Sequence, residues 1–316
     1  MLGTVRTLRR YPVKSMLGEE LAAADVTHRG LRHDRRIALV HRETGKIASA
    51  KNPRLWRDLL TLSATVGDAG EAGGTGAGEP PVRIALPDGR TLLATDEKAD
   101  AILSELLGAP VRVAHTPLPG ATLERSKPEE VLAAGIDAEV GHDETEIGAG
   151  APDGTFFDFA PLHLITSTTL ARIAQLSPRG TVEVERYRPN IIVSVPTEPP
   201  TPGAPTPSPA FPENAWVGRH LHIGDELTLH ILSTTPRCAI PTLAHGALPR
   251  DTQALRVPAT HNRVEPHPGM GPQPCAGVYA RVVRPGHVRQ GDPVRLGETA
   301  PTEDNPNQPT QGLSWR

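Results

Sequence analysis

The chain has 316 residues, of which 37% are hydrophobic and 22% are charged, and its formal net charge is −3. This length is sufficient for two globular domains, because domains usually contain about 100–200 residues. The near-neutral charge argues against nucleic-acid or membrane-surface binding, since both require a basic surface. The sequence also lacks a run of about 18 apolar residues, so it predicts no membrane-spanning helix.

The N-terminal half has the pattern of short strands separated by turn signals. The predicted strands are Val5–Leu8, Arg36–His41, Lys46–Ala50, Val82–Leu86, Arg90–Leu93 and Val111–His115. Two hairpins are predicted because turn signals separate Arg36–His41 from Lys46–Ala50 and Val82–Leu86 from Arg90–Leu93. The Gly-rich stretch 67–78 between the hairpins predicts a flexible loop. One helix is predicted around Ile102–Leu107, capped by Thr95 or Asp96 and ended by Gly108.

The C-terminal half repeats this β-rich pattern around one predicted helix, Leu170–Leu176, whose N-terminus carries the hydroxyl groups of residues 166–169. The predicted strands are Leu162–Ile165, Ile191–Val195, two strands around the Gly-Asp turn within Leu221–Leu232, Val278–Val283 and Asp292–Leu296. Residues 196–212 include eight prolines and predict an extended surface insertion. The polar residues 297–316 predict a disordered tail.

These patterns predict a mainly β protein with a few helices (α+β), built from β-barrels or sandwiches and not from a doubly wound sheet. Proline and glycine residues near 117–120 predict a domain boundary. The predicted domains are a β-barrel-like N-terminal domain over 1–116 and a second barrel over 117–296 that contains the Pro-rich insertion.

The two cysteines, Cys238 and Cys275, bear on both the compartment and the metal chemistry. So few cysteines, with no recognisable targeting segment, predict a reducing, cytoplasmic location. The absence of a CxxC pair excludes a structural zinc site built from cysteines. Cys238 is then either an ordinary buried thiol or a single thiolate that completes a metal site supplied mostly by another group. Arg237, directly before it, favours the thiolate form.

Three further segments place polar groups at the mouths of predicted strands: Tyr11–Ser15, Gly30–Arg36 and Arg186–Asn190. Together they supply lysine, serine, arginine and asparagine side chains. Such a set suits a ligand that combines a phosphate with a heterocycle. Each charge-assisted hydrogen bond to the phosphate would contribute about 1.5–3 kcal/mol.

Taken in this order and followed by Cys238, these segments resemble those of MOSC proteins that carry the MOSC N-terminal β-barrel domain. That group includes the amidoxime-reducing molybdoenzymes and bacterial proteins that detoxify N-hydroxylated bases. The resemblance spans residues 2–296. It implies a molybdenum cofactor (molybdopterin), whose metal takes two sulfurs from the pterin dithiolene and one from a protein cysteine.

The resemblance also implies roles for individual residues. Cys238 matches the molybdenum ligand, through which the protein tunes the catalytic metal. The cofactor-binding positions match Lys14, Ser15, Arg35, Thr166, Ser167, Arg188 and Asn190. Of these, Arg188 and Asn190 match the pair that holds the pterin end. Thr166 and Ser167 lie at a predicted helix N-terminus, which is a favourable place for an anion.

This sequence departs from the eukaryotic relatives on both sides of Cys238. Pro236 stands where they have a serine, so that hydroxyl contact is lost. An acidic loop that follows their cysteine is replaced here by residues 242–251, in which Asp251 or His245 are the candidates for its role. The resemblance therefore does not fix the choice of substrate.

Each of the upstream residues also has a structural interpretation. Lys14 can be a solvated charge at a strand end. The sequence Arg188-Pro-Asn190 is equally compatible with a turn whose asparagine caps the backbone. The hydroxyl of Thr166 can serve as a helix cap, and Asp34 can pair with Arg35 at the surface.

The resemblance predicts an oxidoreductase that reduces N-hydroxylated small molecules with electrons from a separate flavin or iron–sulfur reductase. The two cysteines of the chain cannot hold an iron–sulfur cluster, which needs four cysteine ligands. An alternative is a module that carries molybdenum cofactor or sulfur without turnover. A third interpretation assigns pyridoxal phosphate binding to Lys14 and the arginines.

Overall fold

A computed structural model of the protein describes residues 1–67, 79–196 and 210–299. Three predicted segments lie largely outside these residues: the Gly-rich loop from 68, the Pro-rich insertion from 197 to 209, and the tail from 300. The first three residues of the predicted tail, 297–299, instead extend the last strand of the described chain.

The described residues form nineteen strands and five α-helices. The strands are β1 (Gly3–Arg10), β2 (Glu19–Leu21), β3 (Ala23–Thr27), β4 (Gly30–Leu31), β5 (Ala38–His41), β6 (Ser63–Val66), β7 (Val82–Ala85), β8 (Thr91–Leu93), β9 (Val111–Ala114), β10 (Thr122–Ser126), β11 (His142–Glu146), β12 (Leu162–Thr166), β13 (Ile191–Ser194), β14 (Arg219–Ile223), β15 (Leu227–Pro236), β16 (Arg263–Val264), β17 (Gln273–Arg284), β18 (Gly286–Arg289) and β19 (Pro293–Thr299). The helices are α1 (Pro53–Trp56), α2 (Ala99–Leu107), α3 (Pro128–Ala134), α4 (Ser167–Leu176) and α5 (Gln253–His261). Short 3₁₀ helices occur at Arg57–Thr61, Val184–Arg186, Pro212–Trp216 and Ile240–Thr242.

Seven strands close into a barrel in the order β1, β13, β12, β17, β15, β14 and β19, and β19 pairs with β1 again. All of these pairings are antiparallel except that of β12 with β13. Leu8, Leu164, Ile191 and Ile231 belong to the barrel core and are fully buried. Burial of one such side chain contributes about 1.5–3 kcal/mol, so this core is a principal source of stability.

The first strand joins the start of the chain to the barrel of the C-terminal half. β1 pairs with β13 and β19, and β3 pairs with β18. The hydrogen bonds of β1 and β3 therefore cross the predicted domain boundary at residues 116 and 117, and that division stays a prediction.

A second apolar core lies within the N-terminal half. β5 pairs with β9, while β6, β7 and β8 form a three-stranded sheet. Leu39, Leu59, Ile84, Leu103 and Val111 are among the buried residues that pack together there. Because α2 contributes its apolar face to this cluster, the helix packs against the strands on either side of it in sequence.

Two local predictions in this half are wrong. Residues 46–50 do not form a regular strand, since only a single antiparallel bridge joins Val40 to Ile47. The segment does fold back on β5 after the predicted turn, where the His41 amide donates to the Lys46 carbonyl at 2.9 Å and the Ala48 amide donates to the Leu39 carbonyl at 2.8 Å. The cap predicted at Thr95 or Asp96 is also absent, since α2 begins at Ala99 and the Asp96 carboxylate instead accepts a hydrogen bond from the Leu93 amide. The second predicted hairpin is present as β7 and β8.

The predicted class, mainly β with a few helices, is confirmed by the strand content and the closed barrel. Three helices, α1, α3 and α5, are additional to the two that the sequence pattern predicts. None of the helices in the described part of the chain has the length and apolar character needed to cross a membrane.

Candidate functional site

Six of the eight predicted site residues line a single cleft. They are Lys14, Ser15, Arg35, Arg188, Asn190 and Cys238. They stand after β1, before β5, before β13 and after β15. Because β1 and β13 are neighbours in the barrel, their ends bring the first and third of the predicted segments to one place. The structure therefore assembles side chains that lie more than 200 positions apart in the sequence.

The backbone around the cleft is left-handed at three of these residues. Apart from glycines, four described residues have a positive φ: Ser15 at 63°, His33 at 68°, Arg35 at 45° and Arg188 at 54°. Such a conformation costs a non-glycine residue about 1–3 kcal/mol and persists only where the surroundings hold it. The Arg35 amide, for example, donates to the Tyr11 carbonyl at 2.8 Å. This clustering of strained positions is typical of ligand-binding sites.

Two arginines share the ring of one buried tyrosine. The guanidinium carbon of Arg35 lies 4.5 Å from the centroid of the Tyr11 ring, and that of Arg188 lies 4.4 Å from it. The Asp34 carboxylate is buried, accepts a hydrogen bond from the Tyr11 amide at 2.6 Å and pairs with Arg35. The Asp34–Arg35 pair is thus partly buried, not the surface pair considered from the sequence.

Lys14 is buried in a second cluster of charges. Its ammonium group donates to the Phe156 carbonyl at 2.7 Å and to Asp158 Oδ1 at 2.6 Å, and Lys51 reaches the same carboxylate oxygen at 3.1 Å. Burial lowers the pKa of Lys14 to about 8, although Asp158 opposes this shift. Burial acts to raise the pKa of Asp158, but the two lysine charges outweigh it and hold that pKa well below its usual range. Two ammonium groups therefore share one carboxylate.

Asn190 lines the cleft, but its side chain is engaged by the protein. Its Oδ1 accepts a hydrogen bond from the His163 amide at 3.1 Å. Its Nδ2 donates to the Arg9 carbonyl at 3.2 Å and to Asp34 Oδ2 at 2.9 Å. Asn190 therefore positions the carboxylate that pairs with Arg35, and its predicted contact with a pterin stays a prediction.

Cys238 has both of the environments that the sequence leaves open. It is 8% exposed and packs in a small apolar cluster with Ala50, Leu60, Ile240 and Leu243. It also lines the cleft. The preceding Arg237 donates from Nη2 to the Tyr187 carbonyl at 2.8 Å, and its guanidinium carbon lies 5.3 Å from the centroid of the Tyr187 ring.

The charges and unmet hydrogen bonds of the cleft favour an anionic ligand. Six basic and two acidic side chains line it. Nη1 of Arg188 is buried and lacks a hydrogen-bond partner among the described residues. Leaving such a donor unpaired is costly, so a ligand oxygen that accepts from it would be stabilised. This donor set fits a phosphate-bearing cofactor such as molybdopterin.

The metal chemistry of the cleft rests on one thiol. Within residues 1–67, 79–196 and 210–299, no group of three or more His, Cys, Asp and Glu side chains could hold a metal ion. A metal at Cys238 therefore needs other ligands from a bound group. The dithiolene of molybdopterin is a group of that kind, so the residues present fit the implied cofactor.

Thr166 and Ser167 are not among the residues that line the cleft. The Thr166 hydroxyl accepts from the Thr169 amide at 3.0 Å and donates to Glu213 Oε2 at 2.8 Å. Thr166 is therefore the N-cap of α4, as its structural interpretation predicts. Its hydroxyl already has two protein partners, and the cofactor contacts predicted for Thr166 and Ser167 stay predictions.

The loop after Cys238 does not bring its two candidate residues into the cleft. His245 and Asp251 are both buried, and neither lines it. Asp251 Oδ2 pairs with Arg179 at 2.8 Å, and Asp251 Oδ1 accepts from the Gln253 amide at 2.9 Å. Asp251 therefore anchors the start of α5, and the structure does not support its substitution for an acidic substrate loop.

The structure adds residues that the sequence interpretation missed. Lys51, Arg125, Asp158, Phe159, His163, Tyr187, His267, Met270 and Tyr279 line the same cleft. Most of them lie in irregular segments, where no periodic pattern marks them. Phe156-Phe-Asp-Phe159 is the one signal that could have been found, because three phenylalanines around an aspartate are unusual in a chain with 3% aromatic residues.

Comparison with known proteins assigns this arrangement to a family. Residues 2–109 match the MOSC N-terminal beta barrel domain, and residues 151–295 match the MOSC domain. The chain is 27% identical over 317 residues to mitochondrial amidoxime reducing component 2 of Rattus norvegicus, covering 93% of this chain and 83% of the rat protein.

Two solved structures have weaker similarity. The YUAD protein from Bacillus subtilis is 11% identical with a TM-score of 0.38, over 95% of this chain and 98% of that one. YiiM from Geobacillus stearothermophilus is 15% identical with a TM-score of 0.29, over 44% of this chain and 55% of that one. The two domain matches carry the assignment: the chain is a MOSC protein with a MOSC N-terminal β-barrel domain.

Proposed function

We propose that this protein is a molybdenum-cofactor-dependent oxidoreductase that reduces N-hydroxylated compounds such as amidoximes, hydroxylamines or N-hydroxylated bases. Membership of the MOSC family and the relation to a rat protein named as an amidoxime reducing component support the proposal. When bound, the cofactor supplies the two-electron, two-proton cleavage of the N–O bond, in which the oxygen leaves as water.

The observation that carries the proposal is that one thiol lies in a cleft whose lysine and arginine side chains outnumber its carboxylates. Cys238 and six lysine or arginine side chains line the same cleft, and a buried nitrogen of Arg188 has no hydrogen-bond partner within the described part of the chain. An ordinary packing cysteine does not need such surroundings. A cofactor that brings both a phosphate and a metal requires them.

The residues of the chain divide the work of holding the cofactor. Lys14, Lys51 and Arg188 would neutralise its phosphate, and Cys238 would supply the thiolate to the metal. Ser15 and Arg35 line the same cleft and would donate to the cofactor from the N-terminal segments. Asn190 would act indirectly, because its side chain donates a hydrogen bond to the Asp34 carboxylate that pairs with Arg35.

The electrons would come from a separate flavin or iron–sulfur reductase. An iron–sulfur cluster bound by this chain would need four cysteine ligands, and the sequence has two cysteines. Turnover by the purified protein with NADH as the sole electron donor would contradict this part of the proposal. A cytoplasmic location stays a prediction, since the rat relative is named as mitochondrial.

A carrier of molybdenum cofactor or sulfur is the second candidate, because the same donor set would bind the cofactor without turnover. An artificial-donor assay separates the two, since only an enzyme consumes donor in proportion to the amine formed. Pyridoxal phosphate binding at Lys14 is a third candidate, and it predicts a visible absorbance that borohydride removes. The Lys14 ammonium is held by Phe156 and Asp158, which disfavours its use as a Schiff-base nucleophile.

Metal analysis of protein produced in a molybdenum-replete host tests the proposal. The wild type should contain molybdenum and pterin and should reduce a hydroxylamine with an artificial donor. Cys238→Ser should lose activity and retain pterin, whereas Cys275→Ser is the matched control at the other buried thiol. Absence of molybdenum from the wild type, or equal effects of the two substitutions, would contradict the assignment of Cys238 as the ligand.

A further inference from the structure

The cleft has a second chemical character beside its cations. Phe159, His267 and Met270 line it, and we call these three residues the apolar wall. The Phe159 and His267 rings pack with their centroids 4.8 Å apart and their planes at 56°. The centroid of the Tyr279 ring, which also lines the cleft, lies 5.5 Å from that of Phe159. None of these contacts is needed to bind a phosphate.

The side chains of the wall are only half-buried, unlike their neighbours. Phe156 and Phe157 are 0% and 4% exposed, whereas Phe159, His267 and Met270 each retain accessible surface. A large apolar ring that is left partly open inside a cleft loses the stabilisation that full burial would give it. A flat apolar ligand against the wall would recover it.

The segment that carries two members of the wall, His267 and Met270, is fixed by one carboxylate. Glu265 Oε1 accepts hydrogen bonds from the Gly269 amide at 2.9 Å and from the Gly271 amide at 3.2 Å. These two glycines have φ values of 86° and 70°, which other residues rarely adopt. The turn thus holds the His267 backbone in place, while the unbranched Met270 side chain can adapt to ligands of different shape.

The wall and the thiol belong to one continuous cleft. Phe159 follows Asp158, the carboxylate shared by Lys14 and Lys51. Tyr279, whose ring packs against that of Phe159, lines the same cleft as Asp158 and Cys238. A ligand that lies against Phe159 therefore also lies beside the groups assigned to the cofactor.

We propose that the apolar wall selects flat aromatic N-hydroxylated substrates over aliphatic ones, by packing an aromatic ring against Phe159 and His267. This inference rests on the proposed function for the identity of the N–O group. The rings of the wall already adopt the tilted, offset geometry that aromatic pairs favour. An aliphatic amidoxime offers no ring surface to them.

Equilibrium binding of benzamidoxime and acetamidoxime, measured by calorimetry on the full chain without an electron donor, tests the wall. The wild type should bind benzamidoxime more tightly than acetamidoxime. In His267→Ala the affinity for benzamidoxime should fall about three- to tenfold, as expected for the loss of one aromatic contact. The affinity for acetamidoxime should stay within about twofold, because that ligand makes no such contact. Phe159→Leu should act in the same direction, and His261→Ala, an exposed histidine on α5, should change neither affinity.

Equal loss of affinity for both ligands in His267→Ala, or no loss for either, would overturn the role of the wall, as would a wild type that binds neither compound. The ratio of the two affinities is the decisive readout, because general damage to the loop would lower both. Binding needs no turnover, so failure of the protein to reduce any N-hydroxylated compound would count against the proposed function and leave this test intact.

Discussion

The guanidinium of Arg35 donates a hydrogen bond from Nη2 to the backbone carbonyl of Arg188 at 3.3 Å. Both residues have left-handed backbones, and both guanidinium groups lie over the Tyr11 ring. Burial, followed by the charge of Arg35, lowers the pKa of Arg188 to about 10. Two cations held this close repel each other, so an anion that binds between them and the lysines is attracted by both.

Substitution of Arg188 should therefore cost cofactor retention. One charge-assisted hydrogen bond contributes about 1.5–3 kcal/mol, so Arg188→Met should lower cofactor affinity by a factor of about 10 to 150. Molybdenum and pterin content of the purified protein measures this effect. Arg172→Met is the control, because Arg172 is a half-buried arginine on α4 that does not line the cleft and bonds to Gln175 at the surface. Equal content in the two variants would contradict the assignment.

The pKa of Lys14 predicts a pH-dependent affinity for anions. Because this pKa is about 8, Lys14 loses its charge as the pH rises from 7 to 9. Sulfate keeps its charge over that range, so the sulfate-dependent increase in Tm, compared with chloride at equal ionic strength, should shrink across it. Lys14→Arg should abolish the trend, since a guanidinium stays protonated. A trend that survives in Lys14→Arg would contradict the role of Lys14.

The lowered pKa of Lys14 also makes the stability of the anion-free protein depend on pH. This stability should rise with pH, whereas the stabilisation by sulfate should fall. The folded-state pKa of Lys14 lies below its ordinary value of 10.5. Between the folded-state pKa of about 8 and the ordinary value of 10.5, the unfolded chain binds more protons than the folded one, so the free energy of unfolding should rise with pH. Urea unfolding of the wild type and of Lys14→Met from pH 7 to 10 measures it. The slope should be smaller in Lys14→Met, and an equal slope would contradict the shift.

The strand patterns predict the fold class because alternation in β14 and β15 reflects real burial in the barrel, where Leu221, Ile223, Leu229 and Ile231 are fully buried. The site motifs are found for a related reason: strand ends such as those at Lys14 and Asn190 converge when the strands pair. The order of strands around the barrel, including the pairing of β12 with β17, depends on contacts between residues that are distant in sequence. A local pattern contains no information on such contacts.

The missed features have different causes. Helix α3 has a recognisable start signal in the sequence, with Pro128 in its first turn followed by Glu129 and Glu130. Helix α5 contains Pro258, which normally argues against a helix. Asp158 could not be predicted as the partner of Lys14, because 144 positions separate the two residues and Asp158 lies outside the helices and strands.

The left-handed backbone at Ser15 predicts an unusual order of stabilities. Ser15→Gly and Ser15→Ala both remove the hydroxyl that accepts a hydrogen bond from the Ala50 amide at 3.2 Å. Only glycine adopts a φ of 63° without strain, so Ser15→Gly should be the more stable by about 1 kcal/mol. Ala101→Gly, at an exposed position of α2, should show the ordinary order and lose about 1 kcal/mol. Urea unfolding tests both, and a more stable Ser15→Ala would contradict the strain.

Thr166 and Thr168 offer a matched pair that separates a helix cap from an anion site. Thr166→Val removes the cap of α4 and one donor to the buried Glu213, so it should destabilise the protein by about 2–3 kcal/mol. Thr168→Val should be nearly neutral, because its buried hydroxyl has no hydrogen-bond partner among the described residues. Both variants should retain the molybdenum and pterin content of the wild type, once normalised to folded protein. Loss of cofactor from a folded Thr166→Val protein would instead restore the cofactor contact that the family resemblance implies for this residue.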